Sequence, residues 1–164
     1  ALIKATLVHT AYDMYPGQYG EGTPTQEFKT RRPNSDEGYG RVDMKKLVDI
    51  GAAMNVVDEV AGIGTGEKFE RTVQVVNGKL LANLIYTDAP GTPSAGKALV
   101  NNLDLELVDA KGAVVAGNHD TINNNEIIEL SNLSNGTYTL RVVGKDVPMG
   151  KNGKQAFALV YTAQ

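Results

Sequence analysis

From Asn55 onward the chain alternates apolar and polar side chains with a period of two, and the rhythm recurs about eight times. Successive side chains of a β-strand point to opposite faces, so each run presents one apolar and one polar face. The runs read NVVDEVAGI, EKFERTVQVV, GKLLANLIYTD, ALVNNLDLELVD, AVVAGN, NNEIIELSNL, GTYTLRVVG and KQAFALVYTA. Turn signals fall at even spacing between them. Asn77-Gly78 joins the second and third runs and predicts a tight hairpin. Ala110-Lys111-Gly112 predicts another turn. No helical period separates the runs, which argues against a parallel sheet with crossover helices. The pattern predicts a mainly β protein, an antiparallel jelly-roll β-sandwich of about eight strands, preceded by a short α-helical and loop segment. Leu103, Leu105 and Leu107 take one face of a strand; Asn102, Asp104 and Glu106 take the other. Tyr138, Leu140 and Val142, and later Phe157, Leu159 and Tyr161, are predicted to point inward.

Three features precede the strands. Residues 1–13 have helical rhythm, with Ile3, Leu7 and Ala11 at i, i+4 spacing. The segment begins without an initiator Met or an N-cap, and a helix needs partners for its first N–H groups, so a chain cut from a longer one is expected. Residues 14–40 are rich in Gly, Pro and polar groups and have no period. The aromatic residues in and beside this stretch, Tyr12, Tyr15, Tyr19, Phe28 and Tyr39, are expected to pack on something outside it. VDMKKLVDIG then predicts a short helix: Asp43 as N-cap, Val42 and Leu47 as a hydrophobic staple, Gly51 as a left-handed stop.

Composition narrows function. The 164 residues carry a net charge of −3 with no basic patch, so no nucleic-acid partner is expected. No apolar run approaches the roughly 18 residues of a membrane span, and no membrane partner is expected. The absence of Cys excludes disulfides and thiolate chemistry.

The two histidines, His9 and His119, lie in the first helix and in a GNHD loop. No Gly-x-Ser-x-Gly elbow accompanies them, so no autonomous catalytic triad is predicted and His9 reads as a packed helix residue. The carboxylate pairs Asp58/Glu59, Asp104/Glu106 and Glu126/Glu129 have no spacing that sets them across a cleft. Calcium is the better-founded site. It takes six to eight oxygen ligands and tolerates irregular geometry. Asp88, Asn102, Asp104, Asn118 and Asp120 lie at strand ends that a jelly roll can bring to one edge, with Asn123 to Glu126 close behind. Turns also favour Asn and Asp for local reasons, so a structural role for the same residues stands beside the cation reading. Two Asn-x-Ser/Thr triplets begin at Asn132 and Asn135 and carry meaning only in a eukaryotic secreted chain.

Two segments carry a resemblance. ALIKATLVHTA followed by RPNSDEGYGRVDMKKLVD resembles the end of the catalytic domain of subtilisin-like serine proteases. LIYTDAPGTPSAGKALVNNLDLELVDAKGAVVAGN, with the strands after it, is similar to the C-terminal jelly roll of the alkaline, oxidatively stable branch of that family. The resemblance implies a catalytic-domain remnant at 1–52 and a jelly-roll domain at 53–164. It implies a secreted parent endopeptidase whose Asp, His and Ser lie upstream, with this chain non-catalytic by itself. Its partner would be the catalytic domain of the same protease, on the same or a separate chain, which the sandwich stabilises. The family's jelly roll is associated with calcium, and Asp88, Asp104 and Asn118 match positions to carry over. Relatives usually place Asp where Asn102 stands, and one negative charge fewer predicts a weaker site or none. An independent protein- or carbohydrate-binding module is the alternative, though aromatic residues are only 6% of the chain and Trp is absent. A self-sufficient hydrolase is a third reading.

Overall fold

The computed structural model describes all 164 residues. Two helices, α1 (Leu2–Thr10) and α2 (Met44–Ile50), precede eight strands: β1 (Asn55–Ile63), β2 (Lys68–Val75), β3 (Leu80–Ile85), β4 (Asn102–Val108), β5 (Val114–Asn118), β6 (Asn125–Leu130), β7 (Gly136–Asp146) and β8 (Gln155–Ala163). They form two four-stranded sheets, ordered β1-β8-β3-β6 and β2-β7-β4-β5, with every pairing antiparallel. That order is the jelly roll predicted by the alternation. By its contacts the chain divides into two compact units, Thr6–Ala53 and the sandwich of Met54–Gln164 with residues Ala1–Ala5.

In the sandwich, Leu103, Leu105, Leu107, Leu140, Val142, Phe157 and Leu159 are buried between the sheets. Phe69 and Phe157 meet edge to face across them at 5.5 Å. The inner strands β3 and β8 depart from simple alternation: Ile85, Ala158 and Val160 are also fully buried, on the opposite face. Asp109 Oδ1 accepts from Lys111 and Ala113 N–H, closing the predicted β4–β5 turn. The hairpin predicted at Asn77-Gly78 does not form. β2 pairs with β7 and β3 with β6 and β8, so this turn carries the chain from one sheet to the other. The turn chemistry itself is as expected, with Gly78 at φ +71, but its carbonyl accepts from Leu133 N–H instead of from a hairpin partner. A turn residue fixes local dihedrals and leaves the choice of partner strand to the core.

In the unit Thr6–Ala53, the end of α1 is held by Arg32, whose guanidinium donates to the carbonyls of Val8, Ala11 and Tyr39. His9 is fully buried, as a packed helix residue should be. The aperiodic stretch is ordered by its own side chains. Arg41 lies over the Tyr12 ring at 5.2 Å and Arg31 over Tyr15 at 5.0 Å, while Arg31 also pairs with Asp13 at 2.9 Å. Tyr15 therefore packs within the stretch, contrary to expectation, because a neighbouring guanidinium plane supplies the surface, whereas Tyr12 meets Arg41 just beyond it. Asn34 Oδ1 accepts from the N–H groups of Asp36 and Glu37, and Glu37 accepts from Met14 N–H. Asp43 caps α2 by accepting from Lys46 N–H at 2.9 Å. Gly51 is not the left-handed stop predicted for it. Its φ of −52° keeps it right-handed, and the chain runs on into a single 3₁₀ turn, Gly51–Ala53.

Candidate functional site

The residues singled out in the sequence lie around the ends of β3, β4, β5 and β6. Asp88 follows β3 and fastens the next loop at both ends. Its carboxylate accepts from Ala89 N–H at 2.8 Å, Val100 N–H at 2.7 Å and Asn101 N–H at 2.9 Å. Tyr86, buried beside it, donates its hydroxyl to Asn101 O and accepts from Leu103 N–H; burial pushes its phenol well above the ordinary range. Asn101 Oδ1 accepts from Met149 N–H, and its amide donates to Met149 O and to Gln155 Oε1. Gln155 in turn donates to Thr87 O and Ala156 O. This network ties the β3–β4 and β7–β8 loops together. Asp88 is legible as a candidate from its strand-end position, whereas Asn101 and Gln155 stand at period-two positions that carry no such signal.

Asp120 also serves its own loop. Burial raises its pKa, but bonds from the Asn123 amide and from the N–H groups of Ile122 and Asn123 outweigh that and hold it low. Asn118 donates its amide to Ile127 O across the β5–β6 edge, at 3.3 Å.

Unanswered acceptors remain elsewhere. Asn102 Oδ1 and Asp104 Oδ1 on β4, and Asn125 Oδ1 and Glu126 Oε1 on β6, are buried without a hydrogen-bond partner. Glu126 is fully buried, and its other oxygen accepts from Asp120 N–H at 3.1 Å. Burial pushes its pKa up to about 8; the Asp120 N–H bond opposes this, and the charges of Asp120 and Asp104 add to it. Burial likewise raises Asp104, against the opposing influence of His119 and Lys145. Unpaired buried carboxyl and amide oxygens are costly, and they are the hard donors that calcium accepts. The open oxygens are of the type a hard cation takes, although Asn125 and Glu126, adjacent on β6, point to opposite faces. No group of three or more acidic or histidine side chains converges in metal-binding geometry, so amide oxygens would have to complete a shell. Of the five residues expected at the site, Asn102 and Asp104 retain free oxygens, whereas the carboxylates of Asp88 and Asp120 are engaged by local N–H groups. Glu126 and Asn125 were not among the five.

His119 stands on the outer face of the β2-β7-β4-β5 sheet, in a charged row. Its Nε2 is 3.7 Å from Glu106, which also meets Arg141, and Arg141 binds Glu70 at 2.7 Å. This row is a solvated electrostatic ladder across three strands and the loop after β5.

Residues 92–151, from the loop before β4 to the loop after β7, match a family model described as a secretion system C-terminal sorting domain. The protein is accordingly a secreted or cell-surface protein. Across 90% of its length the chain is also 27% identical to the "Serine protease/ABC transporter B family protein tagA" of Dictyostelium discoideum, and it spans 9% of that relative. Both likenesses are to parts of larger proteins, one of them named as a serine protease.

Proposed function

We propose that this chain is the non-catalytic C-terminal portion of an exported subtilisin-like serine endopeptidase, and that its jelly roll serves sorting and stabilises the catalytic part. The observation that carries this reading is the overlap of two likenesses on one chain. A sorting-domain match falls on β4 to β7, and the likeness to a protease-named protein runs through nearly the whole sequence. Of the residues quoted for the end of a subtilisin-like catalytic domain, GYGRVD lies in the unit Thr6–Ala53. We further propose that calcium is held by Asp104 and Glu126 with the amide oxygen of Asn102. The support is that these three residues carry buried oxygens without donors. A cation bound only by the folded state stabilises by mass action, about 2.7 kcal/mol at one hundred times the dissociation constant.

The test uses the purified full chain. It should neither hydrolyse an unstructured protein nor label with a fluorophosphonate, and its melting temperature should rise with calcium and fall with a chelator. Labelling of a serine would overturn the non-catalytic assignment. A melting temperature indifferent to calcium would remove the ion alone.

A further inference from the structure

The sheet order ends at β1, which pairs with β8 on one side only. The nine-residue edge has no Pro, Lys or Arg; its protections are Asp58, Glu59 and a bulge near its end, which leave the first half of the edge open to another strand. Its outward face carries two exposed apolar side chains, Val56 at 44% and Val60 at 78%, with exposed Asp58 between them. Between Glu59 and Ile63 the register shifts, so Val60, Ala61 and Gly62 stand opposite Ala156 alone. Gly62 makes this bulge possible. Its φ is +72, and a Cβ there would lie 2.5 Å from the Gln155 carbonyl. The bulge turns Val60 and Ala61 into one wall of a cleft of about 800 Å³, which Ala89, Met149 and Lys151 help to line. Met149 is itself 52% exposed there.

We propose that β1 and this cleft bind an extended peptide of another protein by strand addition, with an apolar side chain in the cleft and a basic side chain against Asp58; Glu59 is engaged by the Ala61 N–H at the bulge. Main-chain hydrogen bonding along a free edge supplies affinity, and a pocket beside alternate positions supplies selectivity. Exposed Asp58 sets the sign of the partner's charge. It also disfavours a second copy of this chain, because antiparallel pairing of β1 with itself brings Asp58 towards its own counterpart.

Three peptides test this against the full chain: alternating Lys-Val, alternating Glu-Val and alternating Lys-Gly. Lys-Val should bind one per chain and slow amide exchange over residues 56–61, at least about tenfold more tightly than the other two. Asp58→Lys should reverse the preference between Lys-Val and Glu-Val, and Val60→Asp should weaken Lys-Val. Both positions are exposed, so the fold should survive either change. Absent binding, equal binding of Lys-Val and Lys-Gly, indifference to both variants, or protection elsewhere would each overturn the proposal. So would a dimer of the chain that the peptide cannot displace.

Discussion

Replacing Glu126 with Gln offers a sharp test of the sandwich edge, because it removes a charge and keeps the shape. In the folded chain this carboxyl titrates near 8 and its ordinary value is 4.5. Between those values the folded state holds the proton and the unfolded state does not, so stability falls as pH rises. Below 4.5 both states are protonated and the penalty vanishes. Above 8 it is complete, and at 1.36 kcal/mol per pH decade it reaches about 5 kcal/mol. Glutamine cannot ionise and its Oε1 can keep the Asp120 N–H bond, but its amide places a buried donor where Oε1 now has no partner, at about 1–3 kcal/mol. In chelator, Glu126→Gln should therefore be the less stable protein at pH 4.5 and the more stable one at pH 9, by about 2–4 kcal/mol. Urea unfolding followed by circular dichroism across that range gives the difference directly. Added calcium should favour the parent chain at high pH and lose its effect in the variant. A stability gap that stays flat or shrinks as pH rises would refute the reasoning.

Other changes probe the frame that positions this edge. Leu105→Ala empties a fully buried site between the sheets and should cost about 2–5 kcal/mol by thermal unfolding. Asp88→Ala removes the acceptor of three backbone N–H groups and should cost about 1–3 kcal/mol, with faster amide exchange at Val100 and Asn101. Gly62→Ala sets a methyl against the Gln155 carbonyl at a positive φ and should cost more than about 1 kcal/mol of stability, read as a lower urea midpoint.

The strands were legible because alternation is a direct imprint of a half-buried sheet, and the inward set at Leu103, Leu105 and Leu107 needed nothing more. Strand pairing was not: Asn77-Gly78 has the composition of a hairpin, yet its two strands belong to different sheets. Glu126 stood beside the candidate ligands in the sequence, but its burial was not legible. In NNEIIEL two adjacent isoleucines leave the phase ambiguous, and only the fold shows that Ile128 faces the core and takes Glu126 with it. Asp88 was correctly placed at a strand end, but its three N–H donors come partly from residues twelve and thirteen positions away, where periodicity gives no guidance. The stretch before α2 had no period to read. Its order comes from Arg31, Arg32 and Glu37, whose partners are non-local.

Export of a reporter tests the central claim most directly. A soluble reporter protein is joined ahead of this chain and expressed in a host whose secretion system reads C-terminal sorting domains; the fraction of reporter in the medium or at the surface is then measured. The account predicts that the reporter leaves the cell with this chain attached and stays inside when residues 92–151 are deleted. A reporter that stays inside with the folded chain in place, or leaves equally well without those residues, would contradict it.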